Sequence, residues 1–352
     1  MIYIYIAFYS TAYAYLVNIK GKKIDVLVGL FPVFLLLVLM LSLQQGVGTD
    51  YHSYLSMAKG DKELGWIENK NEVLFVWINN AVIRLGEPQL IFFFTAFIQV
   101  SFLALIVYEI KKLELKVHWF FLLYFVFLLI FFNSFNGIRQ YTAVYLVVYA
   151  FFMLYYNKRF KFALIVLLAS LFHSTAIYFF PLIIVGGVLR VKVNFTLMLF
   201  ILAFIACLSF VDLNGLISYL VNFTNYASYL NSDYFGRMDF FGVVTKLPKI
   251  ILVILCGYLL ESKYEWLARK YRFFLNLSYV SLIVLVLSFS STLIWRMYQY
   301  FDLFTAFPLL ILLSYSKQRQ LTYFGTALLI VIYVLKVTTF AKGEYLYSSF
   351  LF

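Results

Sequence analysis

Four residues carry charge or an exchangeable proton inside apolar sequence. Arg139 lies in FFNSFNGIRQYTAVYL, His173 in ALIVLLASLFHSTAIYFFPL, Arg296 in SFSSTLIWRMYQYFD and Asp50 in GVGTDYHSYL. A charge at the centre of a bilayer costs roughly 2.5–3.5 kcal/mol on insertion scales, so it persists at a membrane edge, in a wet cavity or against an anion. Asn136 and Gly137 ahead of Arg139 read as a helix start. An arginine in the first turn of a helix that opens into a cavity suits phosphate, and Gln140 adds a second donor. His173 brings an imidazole that can act as a base or contact a diphosphate, or else it is a buried neutral histidine bonded to backbone. Arg296 is either an interfacial anchor paired with Asp302 or a second cation on the cavity of Arg139. Two cations matter because a leaving diphosphate carries more than one charge. Asp50 either caps a helix or orients a hydroxyl and takes its proton.

The elements that hold these residues are membrane helices. Hydrophobic residues make up 64% of the 352 and charged residues 12%, with mean hydropathy +0.91. A soluble domain carries about 25% charge. Apolar runs of about 20 residues, the length that crosses a bilayer, recur along the chain. Six basic clusters punctuate them, at 18–25, 109–118, 157–161, 189–194, 261–272 and 316–320. They hold 17 of the 28 Lys and Arg residues and five acids, so they carry the whole net charge of +12 and the rest is neutral. The positive-inside rule makes these clusters cytoplasmic. The charge orients the protein and gives no reason to expect nucleic acid.

The pattern predicts an all-α polytopic membrane protein, one integral membrane domain over 1–352, with about ten full spans. They lie near 1–17, 26–43, 90–109, 117–134, 138–156, 195–212, 243–260, 273–289, 301–315 and 321–340. Residues 71–85 are too short and polar for a full crossing and read as an interfacial or partly inserted helix on the outer side, opened by Glu72. Residues 162–189 are too short for two spans and read as two short helices meeting at FHST, with His173 at the apex. Both termini then lie outside. The first 17 residues lack a basic n-region and cleavage site, so they read as a span. Cys207 and Cys256 read as small core residues without a disulfide. His52, His118 and His173 are scattered, with no partner at metal-ligand spacing. No cofactor is expected.

The segments facing outward, 44–71 and 213–242 above all, mix charge with Asn, Ser, Tyr and Trp. Such side chains suit sugars, since rings stack on C–H faces and carboxylates read hydroxyls. Tyr51 and Tyr54 belong to the first segment. Tyr219, Tyr226, Tyr229 and Tyr234, beside Asp233, Arg237 and Asp239, belong to the second. The second segment reads equally as an interfacial helix with tyrosines at headgroup level.

Order along the chain joins these residues. Gly48, Asp50, Tyr51 and Tyr54 are followed by Glu72, then Ile138, Arg139, Gln140 and Ala143, then His173, Ser174 and Ala176. This order resembles the EpsG-like branch of the Wzy-type polymerases, which make O-antigen, capsule and exopolysaccharide in bacteria. The WRMYQYF around Arg296 and Tyr298 is similar less specifically, and the likeness is loosest after residue 190. The resemblance implies a GT-C-like, metal-independent glycosyltransferase of the bacterial inner membrane. It implies undecaprenyl-diphosphate-linked oligosaccharide as substrate on the periplasmic or outer face. It also implies a chain-length regulator and a flippase as partners, besides membrane lipids. The lack of a nucleotide-binding Gly-rich loop agrees with a lipid-linked donor.

On that footing Arg139, Gln140 and Arg296 hold the donor diphosphate, and His173 or Asp50 is the base. Tyr51, Tyr54, Glu72, Asp233, Arg237 and Tyr298 contact substrate. A lipid-oligosaccharide flippase would use charged cavity residues too, but no internal repeat is visible. An O-antigen ligase, which completes lipopolysaccharide, differs only in its acceptor.

Overall fold

The computed structural model describes residues 2–20, 25–62, 64–210, 219, 236–315, 319–341 and 343–350. Among them the chain is helical, and its one β pairing is an isolated antiparallel bridge between Gln44 and Ser349. The chain divides into two compact units, Met1–Ile183 with Leu313–Phe352, and Ile184–Leu312.

The first unit holds the helices α1 (Ile2–Lys20), α2 (Phe31–Ser42), α3 (Tyr51–Lys59), α4 (Val73–Leu85), α5 (Leu90–Lys112), α6 (Val117–Leu122), α7 (Ile130–Asn136), α8 (Ile138–Tyr155) and α9 (Arg159–Ser170). The second holds α10 (Phe195–Phe210), α11 (Phe240–Lys263), α12 (Arg272–Leu287) and α13 (Thr292–Phe301), and α14 (Phe307–Tyr315) runs from it into the first. The last long helix, α15 (Arg319–Thr338), belongs to the first unit.

Among the described residues four helical stretches are long and apolar enough to cross a membrane, Leu90–Lys112, Ile138–Tyr155, Phe240–Lys263 and Thr292–Tyr315. A bent pair, Val117–Leu128 with Ile130–Asn136, is a fifth when its two helices are counted as one span. These coincide with five of the ten expected spans. The other five fall on shorter apolar helices, Ile2–Val17, Phe31–Ser42, Phe195–Ser209, Arg272–Leu287 and Gly325–Thr338. Physical causes are visible for two of them. The stretch 26–43 is interrupted at Leu30 and restarts at Phe31 with Pro32 in its first turn. Helix α12 has 16 residues, about 24 Å against a hydrocarbon core of about 30 Å.

Helix α8 is enclosed in the first unit, with 83% of its residues buried. A helix that is apolar on every face must be covered on every face, and α8 packs between α5 and α9. Its first turn is fixed from α5. The buried Gln99 amide donates to the Ile138 carbonyl at 3.1 Å and to Thr142 Oγ1 at 3.2 Å. The preceding bent pair bends by 57°. A π-helical turn, Leu123–Leu128, ends there and Leu129 takes the left-handed region at φ 59°. Such turns and strained residues recur where a helix must re-aim a side chain. Here they deliver Asn136 and, just after it, Arg139.

The expected break near His173 is present. Helix α9 stops at Ser170, His173 is extended, and a 3₁₀ turn covers Ser174–Phe179. The short helix expected at 71–85 is α4, whose N-cap is Glu72. Cys256 is buried as expected, whereas Cys207 is exposed on α10, so its thiol is outside the core; both are free.

Candidate functional site

Glu72 and Arg139 form a buried ion pair, with side chains 1% and 10% exposed. The guanidinium Nη1 donates to Glu72 Oε2. The other carboxylate oxygen, Oε1, accepts the Ser174 backbone N–H at 3.3 Å. One carboxylate therefore ties the start of α4, the start of α8 and the turn after His173. The first backbone donors of α4 have no partner within their helix. The Leu74 N–H is satisfied by the Leu171 carbonyl at 3.0 Å, and the Phe75 N–H points at the same oxygen at 3.4 Å. Glu72 thus opens its helix without capping it, which leaves its side chain for Arg139.

Aromatic rings close the rest of this pocket. The Arg139 guanidinium lies 5.4 Å from the Phe75 ring centre and 6.0 Å from that of Tyr54. Tyr51, Tyr54, Met57, Phe75, Phe92 and Ile138 belong to one buried cluster beneath it. Burial pushes the Glu72 carboxyl above its ordinary 4.5, against the pull of Arg139, the Ser174 N–H and Lys70. Burial also pushes the Tyr54 hydroxyl up, again opposed by Arg139. Lys70, itself only 6% exposed, is a second cation acting on Glu72 that the sequence reading passed over.

Asp50 is held from α7. The Asn136 side-chain oxygen accepts the Thr49 N–H at 2.8 Å, the Asp50 N–H at 3.0 Å and the Thr49 hydroxyl at 3.1 Å. Asp50 occupies the N-cap of α3, yet its carboxylate makes no capping bond. Tyr51 is buried, stacks on Phe92 at 4.9 Å and donates its hydroxyl to Gln89 Oε1 at 3.2 Å. Gln89 in turn donates to the carbonyls of Ser42 and Gln44, both at 2.8 Å. Asn136 and Gln89 are the scaffold of this loop. Asn136 stood in the motif, and Gln89 had no sequence signal, because an amide binding carbonyls of a distant loop leaves no local pattern.

His173 is 5% exposed, with Nδ1 at 2.7 Å from Thr175 Oγ1. Its neighbour Ser174 touches Glu72, so the imidazole is one residue from the ion pair. Gln140, half-buried, follows Arg139 in the first turn of α8. Asp50, Tyr54, Glu72, Arg139 and His173 all belong to the first unit.

Arg296 and Tyr298 belong to the second unit, on α13. Tyr298 is fully buried and donates to Asp302 Oδ1 at 2.5 Å. Asp302 takes its cation from α11, with Lys249 Nζ at 2.7 Å. Lys249 is thus a cation on Asp302 from another helix, beside the anchor pairing with Arg296 that is one of the two alternatives the sequence offers. Arg237 is exposed beside Asp239, which caps α11 through the Gly242 N–H at 2.9 Å. Tyr219 is exposed. Asp233, Tyr226, Tyr229 and Tyr234 lie outside the described residues. Among the described residues no three His, Cys, Asp or Glu side chains gather as a metal set.

No curated protein and no solved structure matches the chain. The model of the EpsG family, a family of Wzy-type polymerases, matches residues 27–351, which is nearly the whole sequence and includes Asp50, Glu72, Arg139 and His173, and the chain therefore belongs to the EpsG family.

Proposed function

We propose that this protein is a polysaccharide polymerase that joins undecaprenyl-diphosphate-linked oligosaccharide repeat units on the periplasmic face of the bacterial inner membrane. The observation that carries the reading is the meeting of Glu72, Arg139, Tyr54 and the His173 turn in one buried pocket of an EpsG-family chain. In the resting pocket Arg139 is balanced by Glu72. The donor diphosphate takes over part of the guanidinium, whose fork of donors can serve two acceptors at once.

The acceptor hydroxyl oxygen forms a bond to the anomeric carbon of the donor. The bond from that carbon to the diphosphate oxygen breaks, and the lipid diphosphate leaves with the electron pair, stabilised by Arg139. The hydroxyl proton goes to His173 or Asp50. Holding both lipid-tethered substrates on one protein makes the encounter nearly intramolecular. No metal takes part in this scheme. A GT-C-like fold, a chain-length regulator and a flippase as partners belong to the same reading.

The test uses the purified full chain with a synthetic lipid-diphosphate repeat unit. Polymer ladders are the expected product. Transbilayer movement without ladders would make the protein a flippase, and transfer to a lipid A core alone would make it a ligase. Normal ladders from an Arg139→Ala protein present in the membrane would falsify the assignment of Arg139.

A further inference from the structure

We infer that residues 343–350 are a strap that positions Asp50 for the reaction, with Tyr347 as its positioning residue. The part assigned to Asp50 rests on the polymerase reading above, and the strap itself rests on contacts within the first unit.

The loop that leads from α2 to Asp50 takes its shape from its partners. It contains two glycines in the left-handed region, Gly46 at φ 66° and Gly48 at φ 78°, where residues with a side chain are strained. Gly48 is also closely covered, since a Cβ there would sit 2.8 Å from Asn136 Oδ1. Backbone groups in such a loop are satisfied from outside it. Two of the ties are amides already described. Gln89 binds the carbonyls of Ser42 and Gln44 at the start of the loop, and Asn136 binds the Thr49 and Asp50 N–H groups at its end.

The strap is the third tie. The Gln45 N–H donates to the Ser348 carbonyl at 2.9 Å and the Phe350 N–H to the Leu43 carbonyl at 3.3 Å, on either side of the Gln44–Ser349 bridge. Gln44 and Ser349 are both buried, so the strap is packed into the loop and does not merely lie over it. Tyr347 fastens it from below. Its hydroxyl donates to the Met40 carbonyl at 3.1 Å, near the end of α2, and its ring meets Phe135 and Tyr3 edge-on, both at 5.8 Å. Tyr345 stacks on Phe132 at 5.0 Å. Phe132 and Phe135 stand on α7, the helix whose last residue is Asn136. The strap therefore grips both sides of one junction, the loop before Asp50 and the helix that accepts the Asp50 N–H. Arg139 is held by other means, through Glu72 and through the Gln99 amide on the first turn of α8. Loosening the strap is thus expected to disturb Asp50 and to spare the guanidinium.

The test compares hydrogen exchange, ladder rate and binding of a fluorescent polyprenyl diphosphate for the full chain in phosphatidylcholine nanodiscs. In Tyr347→Ala the amides of Gln45, Thr49 and Asp50 are expected to exchange about tenfold faster, the scale of one lost hydrogen bond, while those of α8 keep their native rates. Ladder rate is expected to fall by a similar factor, with the affinity and stoichiometry of diphosphate binding unchanged. Tyr347→Phe keeps the ring and loses only the hydroxyl. It is expected to show part of both effects, and it carries the test should Tyr347→Ala fail to fold. Native exchange at Gln45, Thr49 and Asp50 in both variants overturns the strap. A fall in diphosphate binding that matches the fall in ladders overturns the positioning role and makes residues 343–350 a general scaffold. If the native chain forms no ladders, the polymerase reading fails while faster exchange still supports the strap. Ladders from the native chain with unchanged exchange in the variants do the reverse.

Discussion

Glu72 with Arg139 in the first unit and Asp302 with Lys249 in the second, where Arg272 and Glu261 form a further buried pair, are built from different parts. In the first unit the carboxylate is the N-cap of α4 and the cation an arginine in the first turn of α8, and a backbone N–H from the His173 turn fills the remaining oxygen. In the second the cation is a lysine inside α11, and Asp302 Oδ1 collects Lys249 and the Tyr298 hydroxyl, with the Thr305 hydroxyl at 3.4 Å. An arginine fork spreads its charge over several acceptors, whereas an ammonium is a compact point charge. The first pair therefore joins three chain segments that are distant in sequence and has an imidazole beside it. The second ties α11 to the end of α13. The difference teaches where each kind of contact belongs: the arginine fork suits a junction where several acceptors share one charge, and the point charge suits the fastening of one helix to the next.

The largest effect expected on this contrast comes from Arg139→Ala. It strands Glu72, a buried carboxylate, and breaking one partner of such a pair costs about 3–5 kcal/mol. Thermal unfolding in detergent reads that loss. Arg139→Ala combined with Glu72→Ala removes both charges and is expected to regain most of the stability while ladders stay absent. A double variant that polymerises normally would reduce the pair to scaffolding. Arg139→Lys is expected to lose nearly as much ladder formation as Arg139→Ala, because an ammonium cannot bridge Glu72 and a phosphate in the same plane.

Next in size is Asn136→Ala. Its oxygen is the shared acceptor of two backbone N–H groups and one hydroxyl at Thr49 and Asp50. Losing an acceptor for such donors costs about 1–3 kcal/mol where they are buried, and less here because Thr49 is exposed. The readout that matters is ladder rate, expected to fall more than stability, with Asp50→Asn adding little on top. Additive losses would show that Asn136 does not act through Asp50.

The fold and the site were legible to different degrees. Helical class, the short helix at Glu72 and the break at His173 follow from length and polarity, and all three are present. The motif order brought Asp50, Glu72, Arg139 and His173 onto one list. It did not reveal that Glu72 and Arg139 neutralise each other, because 67 residues separate them and a helix start gives no sign of which distant cation its side chain will meet. Lys249 was passed over for a related reason. Asp302 has a nearer cation along the chain in Arg296, and only the packing of α11 on α13 brings Lys249 to it. Ten apolar runs were readable as hydropathy, but the breaks at Leu30 and Leu129 are matters of backbone conformation that hydropathy does not register.

A smaller effect separates the two pairs by pH. Burial holds the Glu72 carboxyl above 4.5. As pH falls, the folded protein takes up this proton before the unfolded chain does, so this one group favours the fold on the acid side and loses that contribution as pH rises through its raised value. Activity runs the other way, since the ion pair with Arg139 needs the carboxylate. The expected outcome is an acid limb in the ladder rate at a pH above 4.5, absent in a Glu72→Gln protein whose residual rate is low throughout. A limb that persists in Glu72→Gln belongs to another group.

The smallest expected effect tests the second pair. Lys249→Met with Asp302→Asn replaces an ion pair by a flexible apolar chain and an amide. The amide oxygen still accepts from Tyr298 and Thr305, so neither hydroxyl is stranded. Replacing a buried pair in this way is often neutral or stabilising, whereas removing one partner costs about 3–5 kcal/mol. Unfolding temperature is therefore expected to stay near that of the native chain for the double variant and to drop clearly for Lys249→Met alone. If the double variant is as unstable as the single, the charges themselves hold α11 to α13, and the point-charge pair is as structural as the arginine fork.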